Sequence, residues 1–546
     1  MKWRAILSKG NIAQVGRTKF KVKRQVRIPP GIRAHTYTYA AVKQAKRGAA
    51  KSSRVFFLKQ FVDHRPEQRA KYFIREVNNL ARLVHHPSVT KLVACSVPIS
   101  KLLSYSRDYN PELRQQEFAR LKKEAERLAY AAKPLFLVQK FVHGTLLPHC
   151  IGELNFQERL FVFLNVASIV KYLHSVDVVH RDIKSHHVMI RRTRIQPHDP
   201  ILLDLDGARD ISEIQVECPN SMCRTMLSIQ EPNCIKCGTP VPVTCPRCGK
   251  PNSRVDRFCA DPACRAPLYV ISKITDLYTP GWESPEQRGL ISEGVSKLTD
   301  QYSLGLLLYF LLTGKERPEM MPTVSADYGL SAEPAYPYVA AQLHKIIESQ
   351  DIRDMLAQRL TRAVVRATSP SPSKRFPTLA ELMDRVKEVF EIVLQYQSQE
   401  TRSSYIVLPE AKMVKPVETI RDEDKTLFVF DVSNIPRRAF VRIGGEGSDI
   451  VLPPYLLEPV QAASAQLYLF ARNIKSKRHA RSFYIKEGFT SAQTMLKRHR
   501  KGVWEEVLPG EIRRIRDQDF VTLNNGLFQF RQGVKQALVF VVGRRE

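Results

Sequence analysis

Apolar and polar positions change rhythm several times along the chain. Between Phe20 and Ile28 apolar residues alternate with basic ones, the period of a half-buried strand, and Val55–Phe61 is a compact strand-like run carrying Lys59 near its end. A helical stretch follows that carries Glu76 and closes on Leu80, Leu83 and His86-Pro87. Leu304 to Leu312 reads as an apolar helix and residues 378–396 as another. From Gln397 to Lys425 the chain is polar and irregular, which predicts a linker. Strand patterns resume at Thr426 to Asp431, Ala439 to Ile443, Ala465 to Phe470, Ser482 to Ile485 and Phe520 to Leu523. The order of these elements predicts an α+β multidomain chain.

Composition narrows the class. A chain of 546 residues with 43% apolar content supports two to four ordinary cores. Its longest apolar run, Leu304 to Leu312, falls well short of the roughly 20 residues that a membrane span needs. A cytoplasmic location is therefore expected. The 85 Lys and Arg outnumber the 54 Asp and Glu, and a formal charge of +31 favours phosphoproteins, nucleic acid or anionic membrane as partners. No acidic residue precedes Asp63, which superficially resembles a transit peptide, although the strand-like runs in that segment argue against one.

Candidate chemistry begins at Val178 to Ile190, which reads V-V-H-R-D-I-K-S-H-H-V-M-I, and continues at Ile201 to Arg209, which reads I-L-L-D-L-D-G-A-R. Ser284-Pro285-Glu286, the run Asp300 to Gly305 and Arg375 follow in order. With Lys59 and Glu76 upstream, this succession resembles the eukaryotic-type Ser/Thr protein kinases, including those of bacterial signalling proteins. The resemblance implies a bilobal kinase fold with an N-lobe over 1–145 and a C-lobe over 146–395. It implies that Lys59, held by Glu76, contacts ATP phosphates and that Asp204 holds Mg²⁺ or Mn²⁺. Asp182 would orient and deprotonate a protein hydroxyl, and Lys184 would neutralise the transferred phosphoryl group. Glu286 would pair with Arg375.

Three departures from the pattern bear on activity. His187 stands where a second oxygen ligand to the metal is usual, and imidazole suits Mn²⁺ or Zn²⁺ better than Mg²⁺. Asp206 replaces the glycine after the metal-binding position, leaving Gly207 to supply the flexible turn. The phosphate-facing turn, Pro29 to His35, has one glycine instead of three. Gln139 and Lys140 fall at the positions lining adenine. An active but atypical kinase is favoured, with a pseudokinase scaffold that binds nucleotide or partners as the alternative.

Between Asp204 and Glu286 lie 81 residues, and eight of the ten cysteines crowd into them. Cys218, Cys223, Cys234, Cys237, Cys245, Cys248, Cys259 and Cys264 follow the spacing C-x4-C-x10-C-x2-C-x7-C-x2-C-x10-C-x4-C, which reads the same in both directions. In a chain expected to be cytosolic, such pairs point to metal before disulfide. Two structural Zn²⁺ ions with four thiolates each are expected, in a double zinc ribbon over 216–269. Pairing within halves is the natural reading, and nesting of the inner four cysteines remains open. A zinc-ribbon module that binds nucleic acid is a third, less favoured reading of the chain.

The stretches Val441 to Pro453 and Ile515 to Phe530 resemble the two ends of a forkhead-associated (FHA) domain. This implies a linker over 396–424 and an all-β sandwich over 425–546 that binds a phosphoprotein or acidic partner. Gly445, Gln461 and Ser464 stand where that family grips phosphothreonine, and of its gripping residues Ser448 is retained. A basic group that includes Arg472, Lys497 and Lys501 offers a substitute anion surface.

Overall fold

A computed structural model describes residues 7–16, 18–26, 36–44, 54–83, 86–98, 111–191, 198–205, 207–210, 281–288, 295–316 and 335–396. It also describes short pieces between 215 and 264 that include all eight insertion cysteines, and the strands between 406 and 544. The turn at Pro29 to His35, Asp206, Gly445, Ser448, Gln461 and Ser464 lie outside the described residues.

The first lobe is a six-stranded antiparallel sheet in the order β1-β2-β3-β4-β6-β5. Its strands are β1 (Ile12–Val15), β2 (Thr18–Gln25), β3 (Thr36–Lys43), β4 (Val55–Phe61), β5 (Leu92–Cys95) and β6 (Leu135–Lys140). Alternation in β1 and β2 buries Ala13, Val15, Phe20 and Val22 on one face and leaves Ile12 and Gln14 of β1 and Lys19, Lys21 and Lys23 of β2 exposed on the other. β4 lies centrally between β3 and β6, so both neighbours supply hydrogen bonds and nearly every β4 side chain is buried, Lys59 included.

Helix α1 (Pro66–Arg82) packs across this sheet. Pro66 occupies its first turn, where the missing N–H costs nothing, and Ala70, Phe73, Ile74, Val77 and Leu80 recur at helical spacing on the buried face. An added helix, α2 (Pro111–Tyr130), lies between β5 and β6 in sequence and packs on α1. The fully buried Arg69 of α1 donates to the backbone oxygens of Asp63 and Ala129, which ties the two helices together.

The second lobe is helical: α3 (Phe156–Ser175), α4 (Lys297–Thr313), α5 (Tyr336–His344), α6 (Gln350–Ala367) and α7 (Leu379–Tyr396). Asn155 and Glu158 close a reciprocal capping box on α3, a device that contributes about 1 kcal/mol. α4 is buried on all sides from Leu298 to Leu312, because α3, α6 and the loops around Trp282 enclose it. Gly305 lets α6 approach closely: a Cβ there would stand 2.7 Å from Thr368 Cγ2 and 2.9 Å from Ala367 Cβ.

The C-terminal region forms two sheets. One is six-stranded, built on Ala439–Gly444, Ala465–Asn473, Arg481–Glu487 and Ile512–Ile515, and the other is seven-stranded, with Lys425–Asp431, Ala537–Arg544, Gly526–Gln532 and Phe520–Leu523 at its centre. Phe483 and Phe530 meet between them with ring centroids 5.0 Å apart. The expected linker needs correction, because Ile406–Val407 and Glu418–Asp422 are strands, and the latter pairs antiparallel with Lys425–Asp431. A polar, irregular composition conceals an edge strand whose stability comes from its ladder. The region also rests on the helical lobe. Lys486, fully buried, donates to Asn165 Oδ1 of α3 at 2.6 Å and lies 5.7 Å from the Phe161 ring, while Leu508 joins the lobe's core.

Candidate active site

The candidate residues converge between the two lobes. Lys59 on β4 places Nζ 2.9 Å from Glu76 Oε2 of α1 and 3.7 Å from Asp204 Oδ1. The Lys59 and Glu76 side chains are 6% and 2% exposed, so the ammonium is held in one place. Gln139, on the neighbouring strand β6, donates through Nε2 to Glu76 Oε1 at 3.4 Å. Sequence reasoning placed Gln139 beside adenine; the structure gives it the further task of orienting Glu76. Lys140 is exposed, and its N–H bonds the Lys91 carbonyl.

Asp182 and Lys184 lie on the loop after the short strand Val178–Val179, with Lys184 Nζ 3.0 Å from Asp182 Oδ2. This loop is anchored from below by Asp300 in the first turn of α4. The fully buried Asp300 accepts from the backbone N–H groups of His180 (2.8 Å) and Arg181 (2.7 Å) and bonds His174 Nε2 (2.8 Å). Burial opposes ionisation there, but His174 and the backbone donors win and hold the carboxyl below its ordinary value. Arg181 sits at φ 70°, a conformation an L residue adopts only when its surroundings impose it. The Asp300 bond to its N–H and the bond that its carbonyl accepts from Gln287 Nε2 at 2.8 Å impose it here.

His187 ends a short 3-10 turn, Ser185–His187. Its Nδ1 lies 2.8 Å from the Asp182 carbonyl oxygen and its Nε2 3.6 Å from Asp204 Oδ2. Burial lowers the imidazole pKa against the pull of Asp182 and Asp204, which keeps the ring neutral near pH 7. Asp204 itself has φ 54°, whereas Gly207 does not occupy the left-handed region. The expectation that Gly207 supplies the flexible turn is thereby corrected: among the described residues of this turn the positive φ belongs to Asp204, and the Asn79 side chain of α1 holds the following segment by donating to the carbonyls of Leu205 (3.4 Å) and Ala208 (3.1 Å).

Glu286 and Arg375 form a two-pronged ion pair, with Nη1–Oε1 at 2.6 Å and Nη2–Oε2 at 2.8 Å, both side chains 0% exposed. Ser284 bonds Gln287, whose side chain reaches Arg181, so the end of the long insertion is joined to the loop that carries Asp182.

Within the insertion the structure groups the cysteines by halves. The sulfurs of Cys218, Cys223, Cys234 and Cys237 all lie within 4.8 Å of one another, as do those of Cys245, Cys248, Cys259 and Cys264. Neighbouring sulfurs stand 3.6 Å apart. A disulfide needs about 2.05 Å, whereas thiolates about 2.3 Å from a tetrahedral ion stand roughly 3.8 Å apart. The donor set and spacing fit Zn²⁺. Sequence reasoning missed two supporting hydroxyls: Thr225 and Thr239, each two residues past a ligand, lie 3.1 Å from the sulfurs of Cys223 and Cys237. Bonds from Thr239 bring the Cys237 thiol down to about 6, so it reaches the thiolate form easily.

Comparison with known proteins agrees with this geometry. Residues 36–199 match the family described as protein tyrosine and serine/threonine kinase. A leaf rust 10 disease-resistance locus receptor-like protein kinase-like 1.1 from Arabidopsis thaliana is 26% identical over 145 residues, 27% of this chain and 19% of that relative. The similarity to protein kinases thus covers residues 36–199, and the chain spans about a fifth of the relative it matches. The matched stretch contains Lys59, Glu76, Asp182, Lys184 and His187 and stops before Asp204 and the cysteine insertion. No helix among the described residues is long and apolar enough to cross a membrane.

Proposed function

We propose that the chain is a Ser/Thr protein kinase that transfers the γ-phosphoryl group of ATP to protein hydroxyls. The observation that carries this reading is the Lys59–Glu76 pair at 2.9 Å, set within 3.7 Å of Asp204 and opposite Asp182 and Lys184. ATP with a divalent ion supplies the transferable group. Lys59, fixed by Glu76, grips its phosphates, and Asp204 holds the ion. Asp182, the more exposed of the pair it forms with Lys184, orients the acceptor hydroxyl and takes its proton. Lys184 balances charge on the moving phosphoryl group.

Each cysteine group would hold one structural Zn²⁺, since four thiolates leave no open coordination position for chemistry. The ribbon so formed sits between Asp204 and Glu286, where it is placed to dock a substrate or partner beside the site. The C-terminal sheets would serve as an FHA-like module for a phosphoprotein or acidic partner. His187 facing Asp204 supports a second reading, a pseudokinase that binds nucleotide without transfer.

Radiolabelled ATP with Mg²⁺ or Mn²⁺ separates the two readings. The full chain should label itself or a generic protein on serine or threonine, and Asp182→Asn should abolish the label. Nucleotide binding with no transfer under either ion sinks the kinase reading in favour of the pseudokinase.

A further inference from the structure

The His187 ring has a defined orientation. A carbonyl oxygen only accepts hydrogen bonds, so the 2.8 Å contact with Asp182 O assigns the proton to Nδ1. Nε2 therefore carries the lone pair, and it faces Asp204 Oδ2 at 3.6 Å. The other Asp204 oxygen, Oδ1, is turned toward Lys59 Nζ at 3.7 Å. Asp204 thus divides its carboxylate between a fixed cation on one side and an imidazole nitrogen on the other. The His187 side chain is 12% exposed and that of Asp204 40%, so the nitrogen is held inside while the carboxylate opens on the cleft.

In a six-coordinate shell two neighbouring ligand atoms about 2.1 Å from the ion subtend roughly a right angle and stand about 3.0 Å apart. The Nε2···Oδ2 spacing of 3.6 Å is a little longer than that, and a small turn of the partly exposed Asp204 carboxylate brings this nitrogen and this oxygen onto one ion. Mg²⁺ selects oxygen and releases water reluctantly, whereas Mn²⁺ accepts imidazole nitrogen together with carboxylate and phosphate oxygen. The bond from Nδ1–H to the Asp182 carbonyl also raises the basicity of Nε2, as an outer hydrogen bond does for metal-ligating imidazoles.

We propose that His187 Nε2 and Asp204 Oδ2 form a mixed nitrogen and oxygen pair that makes Mn²⁺, rather than Mg²⁺, the preferred ion of this cleft. The inference rests on the reading of the cleft as a nucleotide-phosphate site, because phosphate oxygens and water complete the six-coordinate shell. It also ties the loop's geometry to the ion. Asp182, through its carbonyl, positions the very ligand that selects the metal beside its own carboxylate.

The test is electron spin resonance of Mn²⁺ on the full-length, zinc-loaded chain, with and without a non-hydrolysable ATP analogue. Nucleotide binding is read separately with a fluorescent analogue. The expected result is ¹⁴N modulation in the electron spin echo of bound Mn²⁺, lost in His187→Asn. In competition with Mg²⁺, the same substitution should lower the preference for Mn²⁺ by about tenfold or more. Mn²⁺ bound with no nitrogen coupling in the wild type overturns the proposal, whatever the variant does. So does an unchanged Mn²⁺ to Mg²⁺ preference in a folded His187→Asn. If the analogue does not bind, the nucleotide reading fails on its own. Nitrogen-coupled Mn²⁺ in the nucleotide-free sample then still supports the metal pair, and its absence there refutes it.

Discussion

Replacing Arg375 with methionine removes five donor contacts from a place that water does not reach. The guanidinium bonds both oxygens of Glu286 and the carbonyls of Ser369, Leu298 and Pro370, all between 2.6 and 3.2 Å. In Arg375→Met, Glu286 keeps the Thr299 hydroxyl at 3.0 Å as its nearest support, and three carbonyls lose a donor. Breaking a buried ion pair from one side costs about 3–5 kcal/mol, because the remaining charge is stranded. For a lobe of this size, each kcal/mol lowers Tm by about 2–4 °C, so a fall of roughly 6–20 °C is expected. Replacing both partners, as in Arg375→Met with Glu286→Leu, removes the stranded charge and should recover at least half of the loss. Urea and thermal unfolding of wild type, single and double variants measure this directly. A single variant within about 1 kcal/mol of wild type, or a double variant no better than the single, refutes the reasoning. Activity should fall with stability, since Gln287, next to Glu286, bonds the Arg181 carbonyl one residue from Asp182.

Other outcomes follow from neighbouring features. Metal analysis of the purified chain should find two Zn²⁺, and Cys234→Ser with Cys237→Ser should leave one, because the two thiolate groups do not share ligands; loss of both ions contradicts independent sites. Asp300 has a native pKa held below its unfolded value, so its contribution to stability is present above about pH 4 and is lost as pH falls through the native value. The urea-stability gap between wild type and Asp300→Asn should therefore stay level from about pH 6 to 8 and narrow in acid, and a gap that widens on acidification would exclude this assignment. Lys486→Met removes a buried 2.6 Å bond to Asn165, a loss of about 1.5–3 kcal/mol between the C-terminal sheets and α3. Limited proteolysis ahead of Lys425 should accelerate accordingly, and unchanged cleavage would show that the contact does not hold the two parts together.

Much of the kinase frame was legible because its chemistry is concentrated in short strings. Val55–Phe61 is a strand with those bounds in the structure, and Lys59, Glu76, Asp182 and Asp204, spread over 146 positions, meet in one cleft. The partnership of Glu286 with Arg375 was readable for the same reason. The cysteine spacing, being symmetric, allowed either nesting or separate halves, and only the folded chain chooses the halves. Helix α2 escaped notice because, among its described residues, two of the three that are fully buried, Ala125 and Ala129, are small and charged neighbours surround them, although Phe118 and Leu128 pack on the same core. Such a face gives a weak hydrophobic signal, and its burial comes from α1. Glu418–Asp422 escaped for a related reason: its sequence, E-T-I-R-D, has a single large apolar residue, and the strand exists through pairing with Lys425–Asp431. Residue type points to Gly207 for the left-handed turn, whereas Asp204 holds the positive φ and the Asn79 side chain holds Leu205 and Ala208 beyond it.

The central claim, that Asp182 serves a transferred phosphoryl group, is tested most directly by a single-turnover measurement. Enzyme in excess over radiolabelled ATP, with Mn²⁺ and a protein acceptor, should pass label to the acceptor, and Asp182→Asn should slow that step by about 10²–10⁴-fold while binding the nucleotide as before. Transfer at equal rates by wild type and Asp182→Asn, or no transfer by a wild-type chain that binds the nucleotide, would contradict the account.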